Sequence, residues 1–462
     1  MKKNTGIIVI FWAILAVICT ASCCVSKKTQ HIISDGIIYS QKRTSSEKCL
    51  SVRTLKDIYK AKPYSHLRIH KDIIFVDTLV VPKDCELYFD GGSLAGPIKF
   101  QRTYLSGKVA LLESTLSGDI TNSTFHTSWL CHRDGIKDDA AIINNIIEIC
   151  DSVCFDKGTY RLISLHNIPF SDFTKSNRQS VLSHIGINRD NVCLYSDSGA
   201  VLISSLPETM ISIYSRPYSI DNSVQNISIR GLNFCIENDG KNFYEFKHTI
   251  KVVGVNGAYI QGCVFNDFWG DAICLSHYGD TRETGERSRN SNVAIVNNSI
   301  IGGKHHSNRN GISVINGKSV LIEGNIIQET SRKDMPGAID IEPNNETNTI
   351  VDIKIVNNTI DRCQGTAGGI CIHSNGKGSK LSNITIENNT VTKSTAGIAI
   401  VESGTNSSSG YTIKNNTLEG NKNDFFFYGK GESKNWVVTG NKYKKTNSPK
   451  FGGNIKINNL IQ

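Results

Sequence analysis

The second half of this 462-residue chain repeats itself, and the repeat limits what it can fold into. The unit reads Ile295-Val296-Asn297-Asn298-Ser299-Ile300, then Ile322-Glu323-Gly324-Asn325-Ile326-Ile327, then Ile355-Val356-Asn357-Asn358-Thr359-Ile360. It returns at Ile386 to Val391 and Ile413 to Leu418, with weaker copies at Ile229 to Phe234, Ile260 to Phe265 and Val438 to Tyr443. Successive copies start 25 to 35 residues apart. A period in this range marks a solenoid, whose units bury their apolar faces only against their neighbours. The units are rich in Ile, Val and Thr and alternate polar with apolar, so they are strands. Asn or Gly between two short strands turns the backbone through a left-handed corner at little steric cost. Strand, Asn corner, strand and a loop of variable length, repeated, describe an all-β chain wound as a right-handed parallel β-helix.

The N-terminus sets an expected compartment. Lys2 and Lys3 precede an apolar run from Ile7 to Ile18, followed by Thr20-Ala21-Ser22-Cys23. That order is a secretory leader. The cysteine after small residues resembles the lipidation box of bacterial lipoproteins, with Thr20 where that pattern usually has Leu. The resemblance implies a lipid on Cys23 and a chain held at the bacterial cell envelope, or secreted. No other segment reaches the ~20 apolar residues of a membrane span. Net charge is +9, with its basic residues scattered and no aromatics between them, which argues against a nucleic-acid partner. Eleven cysteines beyond the leader form no CxxC pair, and several fall in expected strands, so they read as small core fillers rather than a disulfide framework.

Along the chain, residues 1–23 read as the leader, 24–66 as a tether and irregular lead-in, 67–125 as an N-terminal β region, and 126–462 as the capped β-helix. The cap is the segment Asp134-Gly135-Ile136-Lys137-Asp138-Asp139 and the stripe Ile142, Ile143, Ile146, Ile147 and Cys150 after it. This stripe has helical spacing, with Asp138 or Asp139 as N-cap. One short amphipathic helix ahead of a strand solenoid closes the open end of its core. The segment resembles the opening of pectate-lyase-like β-helix domains. The Gly91-Gly92-Ser93-Leu94 turn upstream is similar to lead-ins of β-helix proteins from glycan-foraging bacteria. The resemblance implies a polysaccharide partner and says little of the reaction.

A second strand set lies between the Asn corners. Ile273, Ile312, Ile339, Ile370 and Ile398 align as one interior ladder, and Leu275, Val314, Ile341, Ile372 and Ile400 as another. Alternation turns the residues between them outward. One outward column reads Cys274, Ser313, Asp340, Cys371, Ala399, and the next Ser276, Ile315, Glu342, His373, Val401. Asp340 and Glu342 are then expected ~6.5–7 Å apart along a strand, with His373 one coil (~4.8 Å) away. Arg309 precedes the neighbouring strand, and Asp271 is a third carboxylate of ambiguous phase. A carboxylate pair with a cation and an imidazole nearby suits acid/base cleavage of a glycosidic bond.

The expected function is therefore a polysaccharide-degrading enzyme, with Asp340, Glu342, Arg309, His373 and Asp271 as catalytic candidates. His305, His306, Trp269, Tyr278 and Ser313 are the substrate-binding candidates. Arg309-Asn310-Gly311-Ile312 followed by Ala338-Ile339-Asp340-Ile341-Glu342-Pro343 resembles a paired pattern in β-helix proteins of polysaccharide-degrading bacteria. Gly270-Asp271 is similar to the Gly-Asp-Asp of polygalacturonase-type hydrolases, but Ala272 replaces the second Asp and the other signatures of those enzymes are absent. Hydrolysis requires no cofactor. A lyase would use Arg309 as base, with Ca²⁺ possible on Asp340 and Glu342. A surface glycan-binding or adhesive β-helix is the alternative outside the enzymes, with Phe265, Phe268, Trp269 and Tyr278 as sugar platforms.

Overall fold

In the computed structural model, residues 49–461 are described apart from 169–180, 216–222, 238–241, 278–287, 304–307, 331, 375–378, 403–407, 430–431, 445–449 and 454–455. Cys23, His305, His306 and Tyr278 lie outside the described residues. None of the described helices is long and apolar enough to cross a membrane. Two compact units divide the chain at Phe125 and His126.

The first unit is built of parallel strands. Leu50–Val52, His66–Ile69, Glu86–Phe89 and Ile98–Gly107 pair in that order. Leu67, Leu87 and Leu105 fall in one register and are buried, so this region stacks a core of its own.

The second unit carries three long sheets. One begins at Asp134–Asp138 and ends at Thr417–Glu419. Another takes in Ser152–Cys154 through Lys456–Ile461. The third runs from His166–Ile168 to Lys450–Gly453. Apart from the antiparallel pair of His166–Ile168 with Val181–Ile187, every pairing is parallel and joins one coil to the next. The interior ladders have the expected register: Ile273, Ile312, Ile339, Ile370 and Ile398 are successive partners, and all are fully buried.

The two asparagines of each repeat do different work. The first sits at the corner with positive φ, 54° at Asn297, 59° at Asn357, 57° at Asn388 and 55° at Asn415, and Gly324 takes the same place at 65°. The second is buried and stacks into an amide ladder. Asn325 donates its backbone N–H and its Nδ2 to Oδ1 of Asn358, at 2.9 and 3.0 Å. Asn358 does the same to Asn389, and Asn389 to Asn416. A buried amide with every group paired stabilises the turn it sits in.

The helix Ala140–Ile149 forms as expected and buries Ala140, Ile143, Ile146, Ile147 and Ile149, leaving Ile142 half-buried. Asp138 rather than Asp139 supplies the capping oxygen, accepting from the N–H of Ala140 at 3.0 Å. Asn144 fastens the helix to the strand Val181–Ile187. Its Nδ2 donates to His184 O at 2.7 Å, and its Oδ1 accepts from Gly186 N at 2.9 Å. No disulfide joins the described cysteines, and most are buried.

Candidate active site

The third sheet carries the candidate residues on Ile250–Val253, Ile273–Leu275, Ile312–Val314, Gly337–Ile341 and Gly368–Ser374. Arg309 enters just before the strand Ile312–Val314, its N–H donating to Gly270 O at 2.8 Å. Its guanidinium is the hub. Nη1 donates to Asp271 Oδ1 and Oδ2 at 3.3 and 3.2 Å, and Nη2 to Glu342 Oε2 at 2.9 Å. Asp340 Oδ2 stands 3.7 Å from Nη2, and Glu245 Oε1 3.7 Å from Nε. Asn310 is a second organiser. It donates Nδ2 to Asp340 Oδ2 at 3.1 Å and to Ser313 Oγ at 3.0 Å, and its N–H to Asp271 Oδ1 at 3.1 Å.

The outward columns have the expected register, but they are not exposed. Cys274, Ser313, Asp340 and Ala399 are buried, and Cys371 nearly so. The register follows from alternation, whereas burial depends on what lies over the sheet. Part of that cover is the segment before the strand Ile250–Val253. Gly270 N donates to Lys247 O at 2.7 Å, Asp271 N donates to His248 Nδ1 at 3.1 Å, and Glu245 reaches Arg309.

The two central carboxyls do not stand apart as expected from strand spacing. Both turn onto Arg309 Nη2, so the two carboxyls adjoin. The distance between Cα atoms two residues apart does not fix where flexible side chains end. Burial, with Glu342 adjoining, drives the Asp340 pKa well above the ordinary carboxylate range, against the pull of Arg309. Asp340 Oδ1 meets no donor, so a proton on this acid is what satisfies the pair. Arg309 loses some preference for its charge through burial, but Asp271, Asp340 and Glu342 outweigh that and raise its pKa.

His373 Nδ1 lies 3.7 Å from Glu342 Oε1, and with 28% of its side chain exposed it marks the solvent side of the cluster. Burial lowers its pKa, and Glu342 opposes that only in part. Two further groups belong to this face. His248 is buried, and its desolvation, partly offset by Asp271, lowers its pKa to about 4. Lys251 occupies the outward column one strand before Cys274, and burial lowers its pKa too. Lys251 comes from Ile250-Lys251-Val252, which repeats the pattern of Ile273-Cys274-Leu275 and so carried a signal in the sequence, whereas His248 lies just before that strand, outside the repeat.

Two of the expected binding residues take other roles. Trp269 is 3% exposed and packs edge-on against Tyr244, and Ser313 is buried in hydrogen bonds to Arg309 and Asn310. Neither faces solvent as a sugar contact would. Phe265 and Phe268 are interior, Phe265 stacked on Phe234. An aromatic side chain at a strand mouth is drawn into the core when the adjoining coil gives it an apolar wall.

Among the described residues, His248, Asp271 and Cys274 bring three metal-type donors within 4.8 Å, as do His126, Cys154 and Asp156. In the first set the donors are engaged: Asp271 by Arg309 and Asn310, His248 Nδ1 by the Asp271 amide. A Ca²⁺ on Asp340 and Glu342 does not fit either, because the Arg309 guanidinium already lies against both. What the cluster offers is a buried carboxyl whose pKa is raised, a second carboxyl adjoining it at the edge of solvent, and an imidazole beside that.

The right-handed β-helix region family matches residues 186–418. No curated protein matches the chain. Among solved structures, the tailspike protein of Acinetobacter baumannii phage AM24 is 13% identical over 74% of this chain, with a TM-score of 0.40. The chain spans 54% of that tailspike's length. DFA-IIIase from Arthrobacter chlorophenolicus A6 is 10% identical over 73% of this chain and 94% of its own, at 0.42. PfbA, a surface adhesin of Streptococcus pneumoniae, is 12% identical over 86% and 91%, at 0.36.

Proposed function

The chain belongs to the right-handed β-helix family, and from that premise we propose that it is a polysaccharide-degrading enzyme whose chemistry sits on Asp340 and Glu342. The observation that carries the proposal is the proton-holding pair itself. Asp340 is buried, its pKa is driven well above the carboxylate range by burial and by the adjoining Glu342, and Glu342 reaches solvent beside His373. Functional sites concentrate such perturbed pairs.

In this reading the pair acts as one acid rather than as two groups straddling a sugar. The proton held on Asp340 passes by way of Glu342 to the leaving glycosidic oxygen as the C–O bond breaks. Water attacks the sugar carbon, and its proton passes to the neutral His373. Arg309 fixes both carboxyls and stays cationic throughout, which makes it unfit as the base of a lyase. A lyase on this face would instead use Lys251, whose pKa is lowered. No metal takes part. The leader supports an envelope protein held by a lipid on Cys23.

A non-catalytic glycan-binding β-helix is the second reading, favoured by the full burial of Asp340 and Asp271 around Arg309, the arrangement of a structural brace. The deciding experiment incubates the purified chain with polygalacturonate, xylan, mixed-linkage β-glucan and chondroitin sulfate, with and without EDTA. New reducing ends without the ultraviolet absorbance of an unsaturated uronate, insensitive to EDTA and lost in Glu342→Gln, support the hydrolase. Unsaturated products overturn it in favour of elimination. Binding without turnover leaves the brace.

A further inference from the structure

We propose that Phe426 and Tyr428 form a distal sugar-binding subsite, and that the polysaccharide lies along the axis of the β-helix, across the strands, from Glu342 to these rings. The proposal rests on the reading of Asp340 and Glu342 given above.

The two columns that carry the candidate site continue for three more strands. Asp340 pairs with Cys371, Cys371 with Ala399, and Ala399 with Phe426. His373 pairs with Val401, and Val401 with Tyr428. Both columns therefore carry an aromatic ring on the strand Asn423–Gly429, and these rings face the same way as the carboxyls. At ~4.8 Å per strand, Phe426 stands ~14 Å from Asp340 along the axis, the span of a few sugar units.

The side chains between are small. Cys371 and Ala399 form a shallow apolar floor with Ala367 and Ala396, and Phe426 packs against it. That contact holds the Phe426 ring in place. Tyr428 stands parallel to it, with 4° between the ring planes and 6.2 Å between centroids, and is 41% exposed. On the following strand Lys450 is the partner of Phe426 and Gly452 the partner of Tyr428. Of the aromatics expected to serve as platforms, the described ones, Phe265, Phe268 and Trp269, are buried, whereas Tyr428 is exposed in line with the acids.

The chemistry favours a sugar here. A pyranose has apolar C–H faces and a hydroxyl rim. A tyrosine on an apolar floor offers a matching face together with a polar tip. A strand sheet with a fixed axial repeat guides a linear polymer, and the route to Tyr428 runs over the half-buried His373 and Val401 rather than over the buried Cys371 and Ala399.

The test uses Tyr428→Ala and the more conservative Phe426→Leu, which keeps the contact with Ala399 should the alanine variant fold poorly. Each is made in the full chain and compared with it by thermal melting. KM and kcat are measured on the polymers named above and on fragments too short to reach from Glu342 to Tyr428. Retardation in native gels containing the same polymers is measured on a Glu342→Gln background. The expected result is a KM for polymer raised roughly tenfold by Tyr428→Ala, the scale of uncovering one aromatic face. Retardation falls in parallel, and the advantage of polymer over short fragments is lost. Equal effects on polymer and fragment, or none on either, overturn the subsite while leaving the catalytic reading standing. If none of these polymers retards or is cleaved by the parent chain, both fall together.

Discussion

Asp340 and Glu342, two residues apart on one strand, bring their carboxyl groups to the same atom, Nη2 of Arg309, at 3.7 and 2.9 Å. The strand supplies the alignment, and the buried guanidinium supplies the convergence. Asp271, from another coil, joins them at Nη1. With Glu245 at Nε, four carboxyl groups around one cation form a network whose members depend on each other, and removing the cation leaves buried charge without compensation.

Arg309→Met is therefore expected to destabilise the fold by about 3–5 kcal/mol near neutral pH, the usual cost of breaking a buried charge network from one side. The loss should shrink on acidification, as the stranded carboxylates take up protons. Urea melts at neutral and acidic pH check both statements. A loss that is small and independent of pH would mean that the network is solvated.

Asp340→Asn separates the proton from the charge. The folded-state pKa of Asp340 is raised, so the folded chain binds this proton more tightly than the unfolded chain. The stability it contributes is fully present below the unfolded carboxylate pKa and is lost as pH rises through the folded value. Asn mimics the protonated form and carries no such dependence. The variant should thus gain stability relative to the parent as pH rises above the ordinary carboxylate range, while activity falls roughly 10²–10⁴-fold as expected for a lost general acid. Parallel pH series of melts and rates test this, and a variant that loses stability with rising pH relative to the parent would contradict the protonated state.

His373 is expected to set the acidic limb of the rate profile. With its pKa lowered by burial, it stays neutral to a more acidic pH than an exposed imidazole would. Activity is expected to persist below the ordinary histidine range and then fall as the ring protonates, while the alkaline limb follows deprotonation of Asp340. In His373→Gln the acidic limb should disappear with the alkaline limb kept. A kcat/KM profile of both proteins is the measurement, and an unchanged acidic limb in the variant removes His373 from the reaction.

The fold was legible because its signals are local and repeated. Each coil carries its own apolar ladder and Asn corner, and strand pairing leaves little choice of register once Ile312, Ile339 and Ile370 must all point inward. The site was legible only in part. Alternation put Asp340 and Glu342 on one face, but it could not say that Glu245 and His248 come from an earlier coil to cover that face, or that the carboxyls would meet. Those outcomes depend on loop paths and side-chain torsions, which no periodicity encodes. Trp269 and Ser313 mislead for the same reason: residue type fits a sugar contact, and neighbouring coils decide whether the side chain stays at the surface.

The paired asparagines offer a test of the fold within one dipeptide. Asn357 has positive φ, so its requirement is a backbone one, while Asn358 is buried and bonded on both sides of the amide. Asn357→Gly should be nearly neutral, since glycine adopts that conformation without a side chain to strain. Asn357→Ala should cost about 1 kcal/mol from the left-handed backbone. Asn358→Ala removes the acceptor for two donors of Asn325 and the donor to Ile322 O. At about 1–3 kcal/mol for each buried group left unsatisfied, it should be the most damaging of the three, with a total above 2 kcal/mol. The order of the three thermal midpoints decides the matter. If Asn357→Ala were worse than Asn358→Ala, the corner rather than the ladder would hold the coils together.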